Sequence, residues 1–226
     1  MDARQCTQVI KKAGQSRCWT QAHTLLLQAT QLTLQANTII YNAAVGACMR
    51  GQQWRCSLDF ASSVPTRGLV WDTVSWNSAM YAHERGNNWA CALRLFMSML
   101  EQDQTPSIVT CNTAMKAAAS GQLWQHALAL LADEMPRCKL LPDVITYNTA
   151  ISACKEDQVW EWGLQLLADM RNAALLPDIQ SFSTAISACE KGRYWQGGLA
   201  MLQEMRFLKI ALDSTCYNAA ISACEK

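Results

Sequence analysis

An all-α solenoid of helix-turn-helix repeats is the fold this sequence predicts, and three observations predict it. Six tryptophans, Trp19, Trp54, Trp89, Trp124, Trp160 and Trp195, follow one another at intervals of 35, 35, 35, 36 and 35 residues. A fixed period of about 20 to 50 residues is the signature of a repeat architecture, in which each unit contacts mainly its neighbours. Within a period, apolar residues recur at helical spacing twice, on either side of a short break. Half of the 226 residues are hydrophobic and 16% are charged, enough for a continuous core and unlike a disordered tail.

Taking the register from Pro142-Asp143 and Pro177-Asp178, the units run 3–37, 38–72, 73–107, 108–143, 144–178 and 179–213, with a partial seventh at 214–226. Six full units and a fragment leave no room for a separate catalytic domain. The fifth unit shows the local logic. Tyr147, Ala150, Ile151 and Cys154 fall at i, i+3, i+4 and i+7, one face of an amphipathic helix, with Thr146 ahead of it as the expected N-cap. After a break at 157–159, Trp160, Leu164, Leu167 and Met170 make a second stripe that should end before Pro177. The same stripe recurs as Trp89, Leu93, Phe96, Met99 and as Trp195, Leu199, Leu202, Met205. In the fourth unit the methionine arrives one residue late, at Met135, so one extra residue lies between Leu131 and Met135. An insertion there should be absorbed as a bulge or a loosened last turn. The tryptophans, at the head of an apolar stripe, are expected to fill the space between second helices of adjacent units.

The composition narrows the function classes. A net charge of +1 is not that of a protein built around phosphate attraction, although residues 1–113 carry nine Lys/Arg against six Asp/Glu. Eleven cysteines without a CxxC pair read as reduced thiols used as small apolar residues; Cys48, Cys154, Cys189 and Cys224 share one phase of the repeat. With three scattered histidines, no metal site or cofactor is expected. No apolar run is long enough to span a membrane. No transit peptide separates from the array, because Cys6 and Thr7 already fall in phase, and the chain stops after the first helix of a unit, as expected of an excerpt from a longer array. Asp133-Glu134 and Glu156-Asp157 read as solvated helix ends, and no catalytic constellation stands out.

The segments IIYNAAVGACMRG, VSWNSAMYAHERG, VTCNTAMKAAASG, VITYNTAISACKED, SFSTAISACEKG and CYNAAISACEK, joined to LLPD endings and a 35-residue period, resemble pentatricopeptide repeats over residues 3–226. Tetratricopeptide repeats differ, with a 34-residue unit and Trp and Tyr in the first helix. The resemblance implies a right-handed superhelix that binds single-stranded RNA along its concave face, one nucleotide per unit, amino end toward the RNA 5′ end. It implies no catalysis and no small-molecule substrate. It also implies that the fifth and last residues of each unit choose the base. Carried over, the pairs are Thr7 with Asn37, Asn42 with Asp72, Asn77 with Ser107, Asn112 with Asp143, Asn148 with Asp178, and Ser183 with Asp213, and the partial unit adds Asn218. By the family's pairing rule they spell 5′-A-U-C-U-U-G, followed by a base that Asn218 alone leaves unassigned, with a pyrimidine favoured.

An Asn amide offers donor and acceptor to a base edge, and Ser or Thr a smaller rotatable hydroxyl. The same residue types at a helix start also serve as caps and complement the helix dipole. The resemblance further implies base clamping by the second residue of a unit, Ile39, Val74, Val109 and Ile145, from which Arg4, Gln180 and Thr215 depart. At the thirteenth position it implies phosphate contact by Arg50, Arg85, Lys191 and Lys226, with Gln15, Ser120 and Glu156 in the other units. The expected role is RNA processing, stabilisation or other post-transcriptional control in a mitochondrion or chloroplast, with other RNA-processing proteins as further partners. The alternatives are a protein-protein interaction solenoid and the binding part of a longer RNA-processing enzyme.

Overall fold

The computed structural model describes residues 8–10, 20, 24, 38–51, 53–59, 71–157 and 159–225, so nearly all of the first unit, with Thr7 and Asn37, lies outside the described residues. What is described is helix and turn, without a strand. In order come α1 (Thr38–Arg50) with α2 (54–59), α3 (Thr73–Arg85) with α4 (Trp89–Glu101), and α5 (Ile108–Ser120). There follow α6 (Trp124–Ala129, continued through Leu130–Glu134 and Met135–Arg137), α7 (Val144–Glu156) with α8 (Trp160–Asn172), α9 (Ile179–Lys191) with α10 (Trp195–Phe207), and α11 (Ser214–Glu225). The chain divides into two compact units, Met1–Thr113 and Ala114–Lys226. In the first, α3 packs on α1 and on α4. In the second, α7, α9 and α11 form a row, and α8 and α10 each pack on the helices before and after them.

The first helices from α1 to α11 all carry the same alanine stripe. Ala44, Ala79, Ala114, Ala150, Ala185 and Ala220 stand at the seventh position of their helices, and Ala47, Ala82, Ala117, Ala153, Ala188 and Ala223 three residues later, all 2% exposed or less. Residues three apart lie on one helix face, and alanine there combines close approach with the best helix propensity. Beside this stripe, Val45, Met80, Met115, Ile151 and Ile186 are buried, whereas the equivalent Ile221 in α11 is 57% exposed. Tyr147, Ala150, Ile151 and Cys154 are all buried, as the spacing predicts. Burial pushes the Cys48 and Cys154 thiols up to about 12 and Cys189 to about 11, so they stay protonated and serve as packing groups.

The inserted residue of the fourth unit is absorbed by a π turn at Leu130–Glu134, in which the Met135 N–H bonds the Leu130 carbonyl. Pro136 has a part in this. In a regular α-helix its ring would crowd the carbonyl of Ala132 and give it no hydrogen. The wider turn takes up the extra residue and relieves that conflict.

The periodic tryptophans depart from expectation in being less than fully buried, although Trp124 meets Trp162 of the next unit's second helix, centroids 6.1 Å apart. Trp54, Trp89, Trp124 and Trp160 are half-buried and Trp195 is 47% exposed. Each opens its helix, and Trp54 and Trp160 reach the turn of the unit that follows. A Cβ on Gly86 would lie 2.7 Å from Trp54, and one on Gly192 2.2 Å from Trp160. Trp160 also stacks on Tyr194, centroids 4.0 Å apart. Both glycines have negative φ, −79° and −82°, so the ring, and not a left-handed backbone, requires them. The left-handed residues of these turns are Asn87, Gln122 and Arg193. In the fifth unit Asp157 takes the glycine's place and accepts a hydrogen bond from the Trp124 N–H at 3.0 Å.

Candidate nucleic-acid interface

The last residue of each unit from the second to the sixth is the N-cap of the next first helix. Asp72 accepts from the Ser75 N–H at 2.8 Å, Asp143 from Thr146 at 2.7 Å and Asp178 from Ser181 at 2.8 Å. The N-cap ahead of α7 is therefore Asp143 and not Thr146. Thr146 stands at the third helical position and its hydroxyl answers the Asp143 N–H at 3.2 Å, closing a capping box that Asp178 and Ser181 repeat. The hydroxyls of Ser75, Thr110, Thr146 and Ser181 are buried as a result. The spacing of an oxygen side chain and a Ser or Thr three residues on, visible in the sequence, is the signal for this box.

The same caps reach back to the fifth residue of their own unit. Asn42 Nδ2 donates to Asp72 at 3.0 Å, Asn148 Nδ2 to Asp178 at 3.2 Å, and Asn77 Nδ2 to Ser107 Oγ at 3.4 Å. Asn42 Oδ1 accepts from the Ser75 hydroxyl and Asn77 Oδ1 from Thr110, whereas Asn148 Oδ1 is buried with no protein partner. Three of the expected pairs are thus joined directly. Ser183 instead donates to its own helix, to the Gln180 carbonyl, while Asp213 accepts from the Cys216 N–H and the Thr215 hydroxyl. Asn112 belongs to the first compact unit and Asp143 to the second. Asn218 is exposed on α11.

The electrostatics follow from these bonds. Partial burial pulls the Asp72 and Asp178 carboxyls upward, but the hydrogen bonds from Ser75 and Asn42, and from Ser181 and Asn148, outweigh it and hold both below the ordinary carboxylate range. At Asp213 the bonds from Cys216 and Thr215 hold the carboxyl down at about 2.

Ile39, Val74, Val109 and Ile145 are 57–63% exposed, four apolar side chains presented to solvent at one repeat position. Ile145 lines an open pocket of about 400 Å³ that also contains Asn148, Asp178 and Gln180, with Lys116 and Lys155. Its floor is the hydrogen-bonded pair and its sides carry the second residues of two successive units. The two lysines have no periodic counterpart at their positions, which is why the repeat pattern does not single them out. Of the residues expected at phosphate, Arg85 is exposed, donates to the Tyr81 hydroxyl at 3.0 Å and lies over its ring. Lys191 is exposed at the end of α9. Lys226 and the Arg50 side chain lie outside the described residues. Among the described residues no group of three His, Cys, Asp or Glu side chains is placed to hold a metal ion, and no helix is long and apolar enough to cross a membrane.

A family model described as a pentatricopeptide repeat domain matches residues 130–192, and one described as a PPR repeat matches residues 74–103 and 180–210. No curated protein matches the chain. Among solved structures it is similar to the pentatricopeptide repeat protein PPR10 in complex with an 18-nt psaJ RNA element, at 18% identity and a TM-score of 0.62. That match covers 99% of this chain but 37% of the other, so the chain spans little more than a third of it. PPR10 is also solved as the protein from maize. The PPR domain of Arabidopsis thaliana protein-only RNase P 1, in complex with tRNA, is 12% identical with a TM-score of 0.54, covering 97% of this chain and 96% of that one. Nuclear proteinaceous RNase P 2 from A. thaliana is 12% identical with a TM-score of 0.66, over 79% and 40%. At these identities the structures share the fold. With the repeat models matching in both compact units and the 35-residue period running through them, the chain belongs to the pentatricopeptide repeat family.

Proposed function

We propose that this chain binds single-stranded RNA, reading one base per unit in the frame 3–37, 38–72, 73–107, 108–143, 144–178, 179–213 and partial 214–226, with 5′-AUCUUG as its preferred core. The observation that carries the proposal is the pocket over Asn148 and Asp178. One amide hydrogen of Asn148 is spent on Asp178, which fixes the orientation of the side chain. The second amide hydrogen is left for a base edge. Exposed Ile145 and, one unit on, Gln180 provide faces for the base plane. PPR10 with its psaJ element and the RNase P 1 repeat domain with tRNA are relatives in fold that are solved with RNA. The chain acts by occupancy, protecting or remodelling a transcript in a mitochondrion or chloroplast or positioning other RNA-processing factors, and its own residues carry no catalytic step.

The test is fluorescence anisotropy with labelled AUCUUG RNA, a scrambled RNA and single-stranded DNA. The matched RNA should bind at least about tenfold more tightly than the scrambled one. Asn148→Thr with Asp178→Asn should move the fifth preference from uracil to adenine, and since Asn caps a helix about as well as Asp, the fold survives the exchange. Equal affinity for all RNAs, or a recoded variant that still prefers uracil, rejects base reading by these pairs.

A further inference from the structure

We infer that the π turn of α6 borders a docking pocket for an arginine side chain of a partner protein, separate from the RNA-reading residues. Leu131 and Ala132 of the π turn and Pro136 just beyond it line an open pocket of about 390 Å³, closed on the other side by Tyr147, Trp162 and Asp169. The one residue that breaks the 35-residue period therefore lies at a concavity. Single-turn π segments often mark functional sites.

The lining selects the occupant. Leu131 and Pro136 offer walls for an aliphatic stem, and Trp162, 48% exposed, offers an indole face. Asp169 supplies a carboxylate whose other described partner is the neutral Gln165 amide, at 2.9 Å. Asp169 lines the pocket together with Tyr147, whose phenol is pushed up by burial and then by that carboxylate. Arg137 at the end of α6 is paired with Glu134, and Arg171 of α8 with Glu204. A long apolar stem ending in a planar cation, able to lie on an indole and bond a carboxylate, meets all of these features, and arginine is that side chain. The source is a protein chain and not a free cation, because Leu141, 83% exposed and adjacent to Pro142 of the lining, continues the apolar surface past the pocket mouth. Flanking apolar residues of a peptide would cover it.

The experiment is NMR of the whole chain labelled with ¹⁵N-tryptophan, the Trp162 indole signal being assigned by Trp162→Phe. Three probes are titrated: acetyl-Leu-Arg-Leu-amide, its citrulline counterpart, which keeps the shape and loses the charge, and ethylguanidinium. The arginine peptide should shift the Trp162 indole saturably, with the citrulline peptide about fivefold weaker or more. Asp169→Asn, at a partly exposed site that folding tolerates, should bring the arginine peptide down to the citrulline level. Equal binding of the two peptides, no effect of Asp169→Asn, or an equal shift at Trp195 overturns the inference. Ethylguanidinium binding as tightly as the peptide makes this a small-cation site, and displacement of the peptide by AUCUUG RNA makes it part of the RNA surface. Either result also overturns the inference.

Discussion

Asp178 does two things with one carboxylate. Oδ1 accepts from the Ser181 backbone and hydroxyl and from Asn148, so capping and the base reading proposed above are not rival roles for this residue but would use the same set of bonds. The cap that starts a helix also holds the Asn148 amide of the same unit's first helix in place. Substitutions should separate the two contributions. Asp178→Ala removes the cap and should cost about 1 kcal/mol, in the usual range of about 0.5–2; Asp178→Asn should cost less and remove this carboxylate's share of the pH dependence. Because hydrogen bonds hold the folded carboxyl below its ordinary value of 3.8, the unfolded chain binds the proton more readily. The stabilisation is therefore fully present above about pH 5 and is lost as pH falls through the folded value. Urea unfolding midpoints between pH 3 and 7 should show the native chain's advantage over the Asn variant shrinking on the acid side. A constant gap would mean that the charge contributes nothing.

At the scale of the helix pair, two glycines of the same repeat family behave in opposite ways. Gly192 ends α9 against Trp160, and an added Cβ would fall 2.2 Å from the indole Cδ1. That ring is itself stacked on Tyr194, so it has little freedom to retreat. Gly192→Ala should destabilise by about 1–3 kcal/mol, as overpacking does. Gly163 lies inside α8, where a Cβ would meet Ala188 at 3.6 Å and Ile151 at 3.9 Å, ordinary contact distances. There the helix gains propensity and loses a flexible link in the unfolded chain, so Gly163→Ala should stabilise by about 0.5–1 kcal/mol. Thermal unfolding of the two variants side by side decides it; shifts of the same sign would show that the tryptophan-to-turn contact is not the reason for glycine at 192.

Across the whole molecule, what the sequence made legible was whatever repeats. The two apolar stripes of the fifth unit, the helix pairs and the extra residue before Met135 all rest on periodicity, and the π turn at Leu130–Glu134 is the physical answer to that extra residue. What stayed hidden depends on partners a unit away. Trp160 heads an apolar stripe, but the stripe does not say that its first residue sits over Gly192. Thr146 and Asp143 both carry oxygen near a helix start, and only backbone geometry decides which one caps. Lys116 and Lys155 join the pocket from positions without a repeated pattern. The near-neutral charge of +1 bears on the proposed function at this scale. If the thirteenth-position residues Arg50, Arg85, Lys191 and Lys226 are the phosphate contacts, four neutralised phosphates of a single strand give a slope of log K against log salt of about −3. Arg85→Ala should make it shallower by about 0.7 without altering base preference, because a phosphate contact carries no sequence information. Anisotropy over a range of salt concentrations measures both. A slope near zero would remove phosphate contact from the mechanism, and one steeper than about −6 would place most of the attraction on basic residues outside the thirteenth position, Lys116 and Lys155 first among them.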